Sequence, residues 1–253
     1  MKIAVITGAS SGMGREFVYA LDKQTEYDEI WVIARRRERL EALQEKTRAK
    51  IRPVPMDLTD IKSIETFAEL LKQEQPQIKT LVNASGYGKF ESFENISLAD
   101  DYGMIDLNCK AYVGMTKVCL PYIENGGEIY QLDSLSAFQP VPYINVYGAT
   151  KAFVLSFSRA LNVELKKKNI KVMAVCPSWV KTEFFDRAVT DDNVITYYNK
   201  YFTPEEVIQR ALKDMKRGKD VSVPGASVRF QVFLTKILPH KLVMKIWCKQ
   251  QNK

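Results

Sequence analysis

Ile3-Ala4-Val5-Ile6-Thr7-Gly8-Ala9-Ser10-Ser11-Gly12-Met13-Gly14-Arg15-Glu16-Phe17-Val18 is a short apolar run, a glycine-rich turn and a helix-like stretch in succession. An apolar β-branched run of this length predicts a strand buried on both faces. The glycines let backbone amides approach a bound anion closely, at the positive end of the helix that follows. A strand, a Gly-x-x-x-Gly-x-Gly turn and a helix in this order predict a dinucleotide pyrophosphate site over Gly8, Ser10, Ser11, Gly12, Met13 and Gly14.

Similar apolar runs recur at Ile30–Ala34, Ile51–Met56, Thr80–Ala84, Glu128–Leu132, Ile170–Cys176 and Val221–Val223, each separated from the next by helix-like sequence. This alternation predicts a Rossmann-like, doubly wound α/β fold. Its seven-stranded parallel sheet has helices on both faces and a ligand crevice at the carboxyl ends of the strands. Residues 1–225 are expected to form this catalytic unit and 226–253 a C-terminal helical extension. Residues Thr182 to Phe202 show no clear periodicity and are expected to be a functional loop.

The second strand runs into Arg35-Arg36-Arg37-Glu38-Arg39. An acidic residue here would accept bonds from an unphosphorylated ribose, whereas arginine suits a 2′-phosphate in a forked geometry. Arg35 or Arg36 is therefore the expected phosphate contact and NADP(H) the expected cofactor. At the other end of the crevice, Ser134 falls near the end of the fifth strand, followed by Tyr147 and Lys151. Residues four apart share a helix face, so Lys151 can set its ammonium near the Tyr147 phenol and favour the phenolate. Tyr147 then serves as general acid or base, with Ser134 bonding the substrate oxygen. Tyr19 and Lys23 repeat the Tyr-x-x-x-Lys spacing without a strand-end serine; they are read as a chance pair.

With these motifs in order over residues 1–225, the chain resembles the short-chain dehydrogenase/reductases. The resemblance implies that Asp57 and Leu58 meet the adenine and that Asn83, Ala84, Ser85 and Gly86 form the cofactor side of the sheet. It also implies that Pro177, Val180 and Thr182 lie beside the nicotinamide. Asn108 joins Ser134, Tyr147 and Lys151 as a catalytic set, and Tyr147 and Lys151 also hold the nicotinamide ribose. The family's Asn-Asn-Ala-Gly appears here as Asn83-Ala84-Ser85-Gly86, its Pro-Gly as Pro177-Ser178, and Asp133 replaces a common serine. The stretch Phe138 to Tyr143 and the tail pattern Thr203-Pro204-Glu205-Glu206 resemble the branch of bacterial general reductases and hydroxysteroid or 3-ketoacyl reductases. That implies a bulky apolar ketone or secondary alcohol as substrate, with Phe138, Tyr143, Trp179, Phe184 and Phe185 as candidate pocket residues. A 3-oxoacyl reductase of lipid metabolism is the alternative enzyme, and a non-catalytic NADP-binding regulator a more distant one.

The formal charge of +7 is confined to the tail: residues 213–253 carry ten Lys or Arg against two Asp, leaving the rest near neutral. A nucleic-acid partner is not expected, since its basic footprint would lie beside the chemistry. Cys109, Cys119, Cys176 and Cys248 are widely spaced, with His240 the lone histidine, so reduced thiols and no metal are expected. A first strand at Lys2 leaves no room for a leader, and a cytoplasmic enzyme is expected. The family commonly pairs through its long helices, which implies a homodimer or homotetramer using Ala149, Ala152, Phe153 and Phe157. Pro239 divides two tail helices, Phe230–Leu238 and Lys241–Lys249. In the second, Leu242, Val243, Ile246 and Trp247 share a face beside a lysine stripe. Packing as a flap over the substrate entrance or a neighbouring subunit is expected ahead of peripheral contact with an anionic membrane.

Overall fold

A computed structural model describes residues 1–24, 27–189, 194–198 and 200–253. Strands β1 (Lys2–Thr7), β2 (Glu29–Ala34), β3 (Lys50–Pro55), β4 (Gln77–Asn83), β5 (Ile123–Leu132) and β6 (Lys171–Val175) enter one seven-stranded sheet. Its last member, Val221–Ser222, is numbered β9 because a two-stranded ribbon intervenes. The order is β3-β2-β1-β4-β5-β6-β9, and every pairing is parallel. Winding reverses between β1 and β4, which opens a crevice at their carboxyl ends. The Thr7 hydroxyl oxygen fixes that point by accepting from the Ala84 and Ser85 amides at 3.0 and 3.3 Å.

Period-2 geometry divides each apolar run between two cores. Ala4 and Ile6, with Ile30 and Val32, face a core that includes α1 (Gly12–Asp22) and α8 (Pro204–Lys216). Ile3 and Val5, with Trp31 and Ile33, face the opposite core with α3 (Ile61–Glu74) and α5 (Ala111–Cys119). Each Ile or Val among them contributes about 1.5–3 kcal/mol by leaving water. The short α2 (Arg37–Glu41) follows β2, and α4 (Leu98–Ile105) runs through a π-helical turn, Asp106–Lys110, into α5. The long α6 is Asn145–Glu164.

The structure departs from expectation in several places. β5 begins at Ile123, before Glu128, because its register with β4 shifts and the Gly126-Gly127 pair falls in the resulting bulge. Residues 182–202 are more than a loop: α7 (Phe184–Ala188) lies within them, and β8 (Tyr201–Phe202) pairs with β7 (Trp179–Val180). Residues 190–193 and 199 of that stretch lie outside the described residues. The tail forms α9 (Ala226–Ile237) and α10 (His240–Gln250). Val243 and Trp247 of α10 turn inward, and the Trp247 indole donates to the Pro142 carbonyl at 3.0 Å. Leu242 and Ile246 remain 44% and 45% exposed, so only part of the expected apolar face packs. No described helix is long and apolar enough to cross a membrane.

Candidate active site

Two cavities meet at the carboxyl edge of the sheet. The larger, about 820 Å³, is a cleft beside the glycine turn, lined by Gly8, Ser10, Ser11, Gly12, Met13 and Gly14. Gly8 has φ +68, and a Cβ there would stand 2.7 Å from the Ala84 carbonyl. A Cβ on Gly14 would collide with the Gly8 oxygen. Glycine at these two positions therefore lets the turn pack tightly on itself and on the end of β4, and the start of α1 faces the cleft, as a pyrophosphate requires.

Arg35, Arg36, Asp57, Leu58, Ala84, Ser85 and Gly86 line the same cleft. Asn83 does not; its buried amide donates to Thr116 Oγ1 at 3.1 Å and Gln131 Oε1 at 3.0 Å, bracing the sheet from behind. The two arginines diverge. Arg35 lies 4.0 Å from Asp57, whose carboxylate also accepts from the Thr59 amide and hydroxyl. Arg36 donates to Ser10 Oγ at 3.0 Å, at the turn itself.

The smaller cavity, about 360 Å³, is lined chiefly by apolar groups, with Trp179, Phe184 and Phe185 among them. Phe138 and Tyr143 lie off its lining. Phe138 sits on the turn Leu135–Phe138 and packs against the first core, and Tyr143, at φ +67, packs behind the cavity. Pro177 and Val180, expected at the cofactor, line this second cavity, whereas Thr182 borders both. From the tail, Leu234, Leu238, Val243 and Trp247 complete the wall, which agrees with the flap arrangement.

Asn108, Ser134, Tyr147 and Lys151 converge where the cavities join. Tyr147 borders both spaces, and Ser134 is within hydrogen-bonding reach of its phenol. The Lys151 ammonium donates to the Leu132 carbonyl at 2.8 Å and lies 5.6 Å from the Tyr147 ring centroid. Asn108, in the π-helical turn, donates to the Tyr87 carbonyl and Thr150 hydroxyl and accepts from the Tyr87 amide. A Cβ on Gly86 would approach Asn108 Oδ1 at 2.9 Å and Lys151 Nζ at 3.7 Å, so these two side chains flank one point.

Burial dominates the titration of this cluster. It raises the Tyr147 phenol, with the Ser134 bond opposing and Asp133 reinforcing the shift. It lowers the Lys151 ammonium, against the favourable charge of Asp133. The Asp133 carboxyl is pushed up to about 8 by burial, against Lys151, the Ser134 amide and the Cys176 thiol, whose sulfur lies 3.6 Å away. The tyrosine is thus held protonated, as a proton donor.

Three contributors escaped sequence reading. Phe90 is buried among Tyr147, Trp179, Phe184 and Phe185 at centroid distances of 5.9–6.4 Å. Arg187 of α7 stacks 3.4 Å over the Tyr87 ring at the cleft. Glu183 binds both Arg36 and Arg39. Apart from the arginine-rich run, no local spacing marks any of them, because each contact joins segments distant in sequence.

Known proteins share this chain's family pattern and fold. Residues 2–193 match the short chain dehydrogenase profile. The chain is 35% identical over 191 residues to sulfoacetaldehyde reductase 2 of Chromohalobacter salexigens, covering 72% of this chain and 74% of that protein. A short-chain dehydrogenase from Sphingobium yanoikuyae, solved in complex with NADPH, superposes with a TM-score of 0.80 at 26% identity, covering 94% and 96% of the two chains. The bulky-bulky ketone specific alcohol dehydrogenase from Comamonas testosteroni gives a TM-score of 0.75 at 25% identity, covering 97% and 94%. A matching profile over most of the chain, a relative at 35% identity and the superposition on a solved short-chain dehydrogenase lead to one assignment: the chain belongs to the short-chain dehydrogenases.

Proposed function

We propose that the protein is an NADP(H)-dependent oxidoreductase acting on bulky, apolar ketones and their secondary alcohols. The observation that carries this reading is the position of Tyr147, which borders both the glycine-lined cleft and the apolar cavity. A proton donor at that junction meets whatever reacts between them.

The cleft fits a dinucleotide because the glycine turn, packed tightly on the end of β4 through Gly8, presents its backbone and the start of α1 to the cleft. Arg36, bonded to Ser10 of the same turn, supports a 2′-phosphate on the adenosine ribose, and the Sphingobium relative was solved with NADPH. Bound there, the nicotinamide supplies or accepts hydride. Ser134 would donate a hydrogen bond to the substrate oxygen, where negative charge grows during reduction. Tyr147 would deliver the proton to that oxygen, a task suited to a phenol that burial keeps protonated. Lys151, anchored on Leu132, would hold the nicotinamide ribose and stabilise the phenolate left behind. Asn108 would fix the backbone at Tyr87 beside Gly86 and hold the end of a proton path toward Lys151.

Trp179, Phe184, Phe185, Val243 and Trp247 favour an apolar substrate. Among the described residues, no Lys, Arg or His lines the cavity to receive an anionic aldehyde of the kind the Chromohalobacter relative's name gives. Two copies are proposed to pair through α6, where Phe153 is 44% exposed and stacks on Phe157 with centroids 6.1 Å apart; light scattering checks this. The activity test is consumption of NADPH and of NADH against bulky ketones, steroids, small aldehydes and acyl thioesters. Fastest turnover of NADPH with bulky ketones is expected. Preference for NADH, or for acyl thioesters, overturns the reading.

A further inference from the structure

Glu183 immediately precedes α7, yet its carboxylate reaches across the cofactor cleft. It accepts from Arg39 Nη1 at 2.8 and 3.0 Å and from Arg36 Nη1 at 3.2 Å, while Arg36 Nη2 donates to Ser10 Oγ at 3.0 Å. Its neighbours in the chain belong to other parts of the site. Thr182 packs against the glycine turn, its Cβ 3.3 Å from the place a Gly12 Cβ would take. Phe184 lies 5.5 Å from the Tyr147 ring centroid and, with Phe185, lines the apolar cavity. One carboxylate thus joins the end of β2 to the segment that shapes the substrate site. Partial burial works to raise the Glu183 carboxyl, and the bonds from Arg39 and Arg36 outweigh it, so the group is ionised at neutral pH.

We propose that Glu183 is a specificity-determining counter-ion: it competes with the cofactor's 2′-phosphate for Arg36 and, by yielding, repositions α7 over the substrate cavity. This rests on the NADP(H) reading given above. Carboxylate and phosphate are alternative acceptors for the same guanidinium fork. A phosphate monoester carries about −1.5 to −2 charge near pH 7 and outbids a single carboxylate on Arg36, but must do so against a like charge. The uncharged ribose of NADH makes no such demand and leaves the bridge intact. Arg36 and Glu183 are 41% and 43% exposed, so their pairing is weak enough to exchange. Arg39 remains as a second holder, which lets the carboxylate swing without being released to solvent.

The test is calorimetric binding of NADPH, NADH, 2′,5′-ADP and ADP to wild type and to Glu183→Gln, which keeps the size and removes the charge. The variant is expected to bind NADPH and 2′,5′-ADP about tenfold more tightly, with NADH and ADP changed less than about twofold. Trp179 reports the loop, because its ring lies 5.9 Å from Phe185 and 4.9 Å from Tyr198. In wild type, 2′,5′-ADP should change tryptophan emission where ADP does not, and the signal should vanish both in Trp179→Phe and in Glu183→Gln. Equal gains for phosphorylated and unphosphorylated ligands, or weaker NADPH binding by Glu183→Gln, overturn the proposal. Retained NADPH preference with an unchanged Glu183→Gln variant sinks Glu183 alone, whereas a wild-type preference for NADH sinks the cofactor reading as well.

Discussion

The Lys151 ammonium donates a 2.8 Å hydrogen bond to the carbonyl oxygen of Leu132, the last residue of β5 before Asp133 and Ser134. The helix bearing Tyr147 and the strand end bearing Ser134 are thereby pinned together through a buried cation. Tyr147→Phe removes one oxygen from this assembly and little packing. Turnover is expected to fall by about 10²–10⁴, the usual worth of a positioned acid, with NADPH affinity nearly unchanged. Lys151→Met should damage turnover and NADPH affinity together. Tyr19→Phe is the matched control and should resemble wild type. Steady-state kinetics and calorimetry on the three variants check the assignment, and comparable losses at Tyr19 and Tyr147 would refute it.

Asp133 makes the site's pH dependence distinctive. In an unfolded chain its carboxyl titrates near about 3.9, whereas in the fold it titrates at about 8. Between these values the folded protein holds a proton that the unfolded chain has lost. Stability therefore declines as pH rises through this window and levels off above it. Asp133→Asn keeps the shape and removes the titration, so its urea midpoint should gain on wild type from about pH 5 to about pH 8. The ionised carboxylate also works to raise Tyr147. In the variant, the alkaline rise in alcohol oxidation should begin at lower pH. An unchanged oxidation profile would remove Asp133 from the proton chemistry.

Local patterning made much of this molecule legible. The strands, the glycine turn and the set Ser134, Tyr147 and Lys151 announce themselves through apolar runs and fixed spacing, which depend on backbone geometry within a few residues. Side-chain destinations were less accessible. Phe138 and Phe184 are both aromatic residues following a strand, but the turn at Leu135–Phe138 sends the first into the core while α7 turns the second toward Tyr147. Glu183 and Arg36 stand 147 positions apart, and only the folded crossover brings them together. The tail's apolar face was visible as a helical stripe, yet Trp247 packs inward while Leu242 stays half-exposed, a division set by the neighbouring Pro142 in the turn ahead of α6.

Trp247 joins the tail to the cavity by ring packing and by its bond to Pro142. Trp247→Ala should raise KM for bulky ketones about tenfold while changing KM for small aldehydes little, because only the larger substrates reach that wall. Trp247→Phe, which keeps most of the ring area, should recover most of the loss. Equal effects on both substrate sizes would assign the residue to stability alone.

The start of α8 gives a prediction that leaves the chemistry untouched. The Thr203 hydroxyl accepts from the Glu206 amide and the Glu206 carboxylate from the Thr203 amide, closing a capping box with Pro204 in the first turn. Thr203→Ala should lower stability by about 1 kcal/mol in urea titration, with kcat and KM at wild-type values.

Gly86 tests whether Asn108 acts through its position. A methyl group at residue 86 would press on Asn108 Oδ1 at 2.9 Å, and the amide is held by Tyr87 and Thr150, so it has to shift or lose a bond. Gly86→Ala is therefore expected to lower kcat by about 10–100-fold, as a displacement of roughly 1 Å near the reacting groups commonly does. If this loss passes through Asn108, then in Asn108→Ala, where the amide is already gone, adding Gly86→Ala should cost little more. Residues in one network are non-additive in this way, whereas independent sites sum. Comparing kcat across the two single variants and the double variant, with NADPH affinity measured in parallel, reads the coupling. A fully additive double variant would detach Asn108 from the effect of Gly86 and leave crowding of the cofactor cleft as its cause.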